Sequence, residues 1–211
     1  MKTRIIGDVH GKFNRYVELA ESFDGPSIQV GDFGVGFGDH DTDRSIAKWQ
    51  SQNPQHRFYR GNHDNPETCK HMPGYISDGT IENDVMIIGG AWSIDYYRRT
   101  IGVDWWDDEE LSQDAFDVLI DTYSIMKPRV MLTHDCPQFV SKELFVDTRL
   151  VVWNGEPVFR ETRTGMALQA MFEIHQPEEW YFGHWHNSLT QIINGTKFQC
   201  IAELDYADVE L

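Results

Sequence analysis

The chain of 211 residues has no apolar run near the roughly 20 residues that a membrane-spanning helix needs. A membrane partner is not expected. Cysteine is sparse. Cys69, Cys136 and Cys200 are odd in number, widely spaced and form no Cys-x-x-Cys pair, so they read as reduced structural thiols rather than a zinc knuckle. Basic residues are few: 18 Lys and Arg stand against 34 Asp and Glu, for a net charge of −16. Duplex binding requires Lys and Arg to neutralise phosphates, and no basic run supplies them, so a long nucleic-acid partner is not expected. Bound cations would offset part of the acidic excess if some of those acids are metal ligands. Repeats, low-complexity tracts and linkers are also missing. The chain reads as one domain over 1–211. Its start, Met1 to Asp8, has no apolar signal region or small-residue cleavage site and reads directly as a strand, which predicts a cytoplasmic location.

What is present is a core. Hydrophobic residues make up 40% of the chain and aromatics 13%, enough to bury a sizeable interior. Thr3–Gly7, Ile28–Val30, Arg57–Arg60, Val85–Gly89, Arg129–Thr133 and Trp180–Phe182 read as buried strands. Phe13, Tyr16, Val17, Ala20 and Phe23 recur at helical spacing until Asp24-Gly25-Pro26. Further helices are predicted over Asp43–Ser51, after Ser112 and over Met166–Ile174. Asn194-Gly195 between Leu189–Ile193 and Lys197–Ala202 is a hairpin signal. This alternation predicts an α/β layered domain. A hairpin insertion is expected around 139–165, at the rim of the site.

The chemistry-bearing residues follow the strands. Gly7-Asp8-Val9-His10-Gly11, Gly31-Asp32, Gly61-Asn62-His63-Asp64, Thr133-His134-Asp135 and Gly183-His184-Trp185-His186 each lie just beyond one, where open α/β sheets place ligands. Carboxylate oxygen and imidazole nitrogen make a mixed donor set suited to Mn, Fe, Zn or Ni rather than Ca. On an extended segment, Asp8 and His10 would point the same way, and His184 with His186 repeats that spacing. Asp32 is the natural bridge, since one carboxylate can share its oxygens between two cations.

Together these motifs resemble the calcineurin-like metallophosphoesterase superfamily, of the small bacterial and phage type, with its pattern D-x-H, G-D, G-N-H-D/E, H and G-H-x-H. The match runs from Asp8 to His186. The resemblance implies a four-layer αββα sandwich with two divalent metal ions, Mn²⁺ first, with Fe, Zn or Ni as alternatives. It implies that Asp8, His10, Asp32 and His186 hold one metal and that Asp32, Asn62, His134 and His184 hold the other. His63 would contact the substrate phosphate or protonate the leaving group, and Asp64 would orient its imidazole. The implied activity is hydrolysis of phosphate mono- or diesters by direct attack of a metal-bridging hydroxide. The partner is then a small phosphate ester, with a nucleotide as one case and a phosphoprotein as another.

Departures from the pattern shape this reading. The start Gly7–Gly11 is shared with phosphoprotein phosphatases, but Gly31-Asp32-Phe33-Gly34 lacks the arginine that follows their second motif. His186 points instead to phosphodiesterase-like branches. Arg98 or Arg99, after Gly89-Gly90-Ala91-Trp92, is the candidate to replace that arginine. A phosphoprotein phosphatase, a nuclease and a catalytically silent metal-binding scaffold are the competing readings. Other polar clusters read as structural: His40 among Asp39, Asp41 and Asp43 as an acidic helix entry, Asp107–Glu110 as complement to the following helix dipole, and Arg60 as a strand-end salt bridge. Trp105-Trp106 reads as core packing, with base stacking as the alternative.

Overall fold

Ile5 and Ile6 are neighbours in one strand and both fully buried, yet they belong to different cores. The computed structural model describes residues 1–38, 40–145, 152–153, 156–157 and 161–211, with only the backbone at 40, 152, 153, 156 and 157. In order, the first half contains β1 (Lys2–Ile6), α1 (Phe13–Glu21), β2 (Ser27–Gln29), α2 (His40–Gln52), β3 (His56–Phe58), α3 (Pro66–Cys69), β4 (Thr80–Glu82) and β5 (Val85–Ile88). A 3₁₀ turn at Tyr96–Arg98 leads on to α4 (Gln113–Met126), β6 (Val130–Thr133), α5 (Gln138–Phe145), β7 (Val152–Trp153) and β8 (Glu156–Pro157). The chain closes with α6 (Arg163–Ile174), β9 (Glu179–Phe182), β10 (Leu189–Ile193), β11 (Thr196–Cys200) and β12 (Tyr206–Glu210).

Two sheets result. One has the order β12-β1-β2-β3, with β1, β2 and β3 parallel and β12 antiparallel at its edge. The other has the order β10-β11-β9-β6-β5-β4, parallel through its centre and antiparallel at both edges. Side chains alternate along each strand, so every central strand serves two cores. Ile5, Val30, Ile87, Leu132, Tyr181 and Ile201 fill the space between the sheets. Met86, Met131, Trp180 and Phe182 turn the other way, onto Phe116 and Tyr123 of α4, Val140 and Phe145 of α5 and Leu168 of α6. Ile6 and Phe58 likewise meet Tyr16, Leu19 and Ala20 of α1 and Ile46 of α2. The layers are helix, sheet, sheet, helix: a four-layer αββα sandwich, as the resemblance implied. This double burial is why the central strands read as continuous apolar runs.

Helix ends follow the residues that mark them. Ser112 Oγ accepts from Ala115 N at 3.2 Å to start α4, and Lys127, at φ 45°, ends it just before Pro128. Thr162 caps α6 through Gly165 N at 2.9 Å. The strand at β12 is not apparent from the sequence, because only Val209 of its five residues is buried. Helix α5 occupies the start of the segment expected to be a hairpin insertion, since Val140 and Phe145 pack into the second sheet's outer core. Within that segment β7 and β8 do pair antiparallel; 146–151, 154–155 and 158–160, and with them the expected rimming of the site, lie outside the described residues. Among the described residues no helix is long and apolar enough to cross a membrane. The three cysteines are free and buried.

Candidate metal centre

Strands β1, β2 and β3 run parallel in one sheet, and β6 and β9 run parallel in the other. Their C-terminal ends therefore deliver loops to one edge of the sandwich. Asp8 and His10 follow β1, Asp32 follows β2, Asn62 and His63 follow β3, His134 follows β6, and His184 and His186 follow β9. The loops are tied together by backbone bonds: Val9 N and His10 N donate to Asp32 O at 2.9 and 2.7 Å. His63 N donates to Asp32 Oδ1 at 2.7 Å, and His184 N reaches both carboxylate oxygens of Asp8 at 3.1 Å.

The two His-bearing pairs do not converge by strand alternation, as the sequence suggested. His10, Asp32, His184 and His186 all adopt left-handed backbone, at φ 48°, 57°, 63° and 49°. A residue with a Cβ pays a steric cost there, and four such residues in one place mark a site where surrounding structure enforces the turn. Gly61 is needed for a different reason. A Cβ at this position would collide with Asp32 Oδ1 and lie 2.7 Å from His134 Nε2.

Two groups of donors result. Asp8, His10, Asp32 and His186 form one, and Asp32, His134 and His184 form the other; within each, one donor atom per residue lies within 4.8 Å of the rest. Asp32 is common to both. His186 Nε2 lies 2.9 Å from Asp8 Oδ2 and 2.9 Å from His10 Nε2. His134 Nε2 lies 3.3 Å from Asp32 Oδ1 and 3.1 Å from Asn62 Oδ1. His134 Nδ1 donates to Val30 O at 2.7 Å, which leaves Nε2 as the lone-pair nitrogen of the neutral ring. Lone pairs of His134, Asp32 and Asn62 then face one another. They repel unless a proton or cation sits among them, and that donor set fits a divalent cation.

The electrostatics agree with that reading. Burial disfavours charge on His134, but the adjacent Asp32 carboxylate outweighs it and raises the ring's pKa to about 10. The same pairing holds Asp32 well below the usual carboxylate range against the cost of its burial. Burial, together with the neighbouring His134, pushes His184 down to about 3. The hydrogen bond from His186 to Asp8 raises that ring's pKa. A metal-free centre thus holds protons that cations would replace.

His63 stands beside the donors, its ring 4.8 Å from that of His10. Its pKa is lowered by burial and further by Arg99. Arg99 Nη2 is 2.8 Å from His63 Nε2, and Asp95 holds the same guanidinium at 2.8 Å. Arg98 lies over the Tyr97 ring instead, 5.3 Å from its centroid. Of the two arginines considered, Arg99 is the one at the site. Phe37 flanks His63 at 5.2 Å and Trp106 at 5.8 Å, and Trp106 is buried, which fits packing rather than open stacking.

Asp64 does not orient His63, contrary to expectation. Its oxygens accept from the backbone N–H groups of Phe33, Gly34, Val35 and Gly61, at 2.7 to 3.0 Å, and are taken up by loop anchoring. Glu109 and Glu110 are a second correction. Both are buried, so the helix dipole does not explain them: Glu109 accepts from Ser93, and Glu110 accepts from Thr164 N at 2.7 Å at the start of α6. Burial raises the Glu109 pKa, and its bonds from Ser93 oppose the rise. Arg60 is the expected buried strand-end ion pair, 3.0 Å from Asp78. Asp43 Oδ1 accepts from Gly36 N at 2.9 Å; Asp39 and the His40 side chain lie outside the described residues. Sequence reasoning assigned no role to Ser93, which accepts from Asn62 Nδ2 at 2.9 Å, or to Asp135, which holds Trp185 Nε1 at 3.0 Å. Only the position of Asp135 beside His134 could have signalled it.

No family model matches the chain, and no curated protein matches its sequence. Solved structures do. The protein TT1561 of Thermus thermophilus superposes with a TM-score of 0.59 at 11% identity, over 96% of this chain and 89% of its own. A candidate 5′-nucleotidase from Staphylococcus aureus, solved with α-ketoglutarate, gives 0.51 at 14% identity over 97% of this chain; the match spans 49% of that protein. The phosphopantetheinyl hydrolase of Mycobacterium tuberculosis aligns at 0.49 and 13% identity, over 96% and 90%. The first two comparisons support the sandwich fold.

Proposed function

We propose that this chain is a metal-dependent phosphoric ester hydrolase acting on small phosphate mono- or diesters, with nucleotides among the substrates to be tested. The observation that carries the reading is the pair of donor groups sharing Asp32 at the loop edge of the sandwich. Asp8, His10, Asp32 and His186 would hold one divalent cation, and Asp32, Asn62, His134 and His184 the other. Such ions, when bound, make water acidic enough to serve as nucleophile near neutral pH and offset phosphoryl charge.

The chain's own groups supply the rest. Arg99 is positioned to donate to a phosphoryl oxygen, the role the sequence left open between two arginines. His63, beside the donors, gives a proton to the leaving-group oxygen. An anionic ester between the two would draw Arg99 off the ring and favour its protonated form. Asp8 and Asp32 hold the loops by accepting backbone N–H bonds and so fix the donors before substrate arrives.

The test is manganese uptake by purified protein together with turnover of monoesters, linear and cyclic diesters, dinucleotides and phosphopeptides. Two bound ions and hydrolysis of a small ester are expected. Bound metal with no turnover of any ester would favour a silent scaffold, phosphopeptide preference would favour a phosphoprotein phosphatase, and no metal at all would end the reading.

A further inference from the structure

Asn62 is the member of the donor set whose side chain has two unlike ends. Its oxygen can meet a cation and its NH₂ cannot, so activity of the site depends on which way the amide faces. A buried relay settles that. Ser93 N donates to Glu109 Oε1 at 2.8 Å and Ser93 Oγ donates to Glu109 Oε2 at 2.5 Å. Asn62 Nδ2 then donates to Ser93 Oγ at 2.9 Å, and Asn62 Oδ1 is left facing His134 Nε2 at 3.1 Å. Asn62, Ser93 and Glu109 are 2%, 1% and 3% exposed, so water does not substitute for any of these partners.

The direction of the relay follows from proton counting. A carboxylate accepts only, and Glu109 takes both hydrogens that Ser93 owns. The Ser93 oxygen has lone pairs alone to offer Asn62, and only the amide NH₂ can meet them. We infer that Glu109 and Ser93 are positioning residues that lock the Asn62 amide with its oxygen toward the second donor group, Asp32, His134 and His184. This inference rests on the metal-centre reading above.

Replacing Glu109 with glutamine keeps the shape and reverses the relay. The glutamine NH₂ donates to Ser93 Oγ, which leaves the buried hydroxyl proton without an acceptor unless Asn62 turns its oxygen to it, and that turn puts the Asn62 NH₂ at the metal position. Asn62→Asp should repair this, because a carboxylate has an oxygen at both ends. Glu110→Gln is the control, another buried acid in the same segment that meets Thr164 and Arg163 instead.

Manganese binding is measured by calorimetry, and the coupling between bound ions by electron paramagnetic resonance, on full-length variants whose folding is checked by circular dichroism. For Glu109→Gln the second ion should bind about 10–100-fold more weakly, with an isolated-ion spectrum replacing the coupled one and the first ion unaffected. Ser93→Ala should weaken the same ion, Glu110→Gln should not, and Asn62→Asp in the Glu109→Gln protein should restore it. Wild-type protein that binds two ions while folded Glu109→Gln and Ser93→Ala match it overturns this inference alone. Equal weakening of both ions, or loss that Asn62→Asp leaves uncorrected, also overturns it. Wild-type protein that binds no manganese overturns the metal-centre reading and this inference together.

Discussion

Arg99 spans the two ring nitrogens of His63, with Nη2 2.8 Å from Nε2 and Nη1 3.4 Å from Nδ1. The contact suits a neutral imidazole, whose pKa is lowered by burial and further by Arg99. Asp95 supplies one anchor, at 2.8 Å, and the side of the guanidinium toward the donor cluster is where a phosphoryl group would sit under the proposed function. Arg99→Ala should raise KM for a small phosphate ester by about 10–100-fold, the worth of a charge-assisted hydrogen bond. Arg98→Ala, whose guanidinium lies over Tyr97, should leave KM near wild type. Equal kinetics in both variants would remove Arg99 from substrate binding.

His63 touches neither donor group through its ring nitrogens, so its removal should spare metal uptake. His63→Gln is expected to lower kcat about 10²–10⁴-fold on an alkyl phosphate, the contribution of a positioned general acid. On a p-nitrophenyl ester the loss should shrink, because that leaving group needs no proton. A loss of equal size on both substrates would point to phosphate contact by His63 rather than proton donation.

Metal uptake should release protons, with a sign that follows from His134. Its pKa is raised from 6.5 to about 10 because Asp32 outweighs the penalty of burial. At neutral pH the metal-free ring is charged, and a cation must displace that proton. Apparent affinity should therefore rise with pH, by about tenfold per pH unit for each proton released. The charged His134–Asp32 pair also stabilises the metal-free fold. A raised histidine pKa means that this stabilisation is fully present below about 6.5 and is lost as pH rises through about 10. Calorimetry in buffers of different ionisation enthalpy measures the released protons, and denaturant midpoints against pH, with and without manganese, measure the stability. A flat affinity from pH 6 to 8 would contradict the assignment.

The candidate donor residues were legible in the sequence because their types are chemically specific and each follows a strand whose apolar run marks it. The sandwich was legible for the same reason, as far as its double-buried strands go: Met86 and Ile87 are both apolar because they serve opposite cores. Its edge strand β12 was not, since four of its five residues are not buried and no apolar run forms. The left-handed turns at His10, Asp32, His184 and His186 were illegible because residues with a Cβ adopt that backbone only occasionally, and tertiary packing imposes it here. Ser93 and Glu109 carry no motif. Their meaning lies in Ser93 meeting Asn62 and Glu109 meeting Ser93 from distant positions, which proximity in sequence does not reveal.

Asp64 shows how a motif residue can be recognised and its task misjudged. Oδ1 accepts from Gly34 N and Val35 N, while Oδ2 accepts from Phe33 N and Gly61 N. One carboxylate thereby joins the loop after β2, which carries Asp32, to the loop after β3, which carries Asn62. An asparagine here would turn its NH₂ toward two amide donors and leave both unsatisfied in the interior. Each such orphan costs about 1–3 kcal/mol, so Asp64→Asn should lose at least ~2 kcal/mol of stability, read as a lower denaturant midpoint with an unchanged slope. Anchoring and imidazole orientation make different demands on kinetics. If Asp64 only anchors, the folded, manganese-saturated fraction of the variant should keep the wild-type pH profile for kcat, because the Asp64 oxygens are taken up by backbone N–H groups rather than by the His63 ring. A displaced profile in protein of unchanged stability would return Asp64 to the orienting role that the motif suggested.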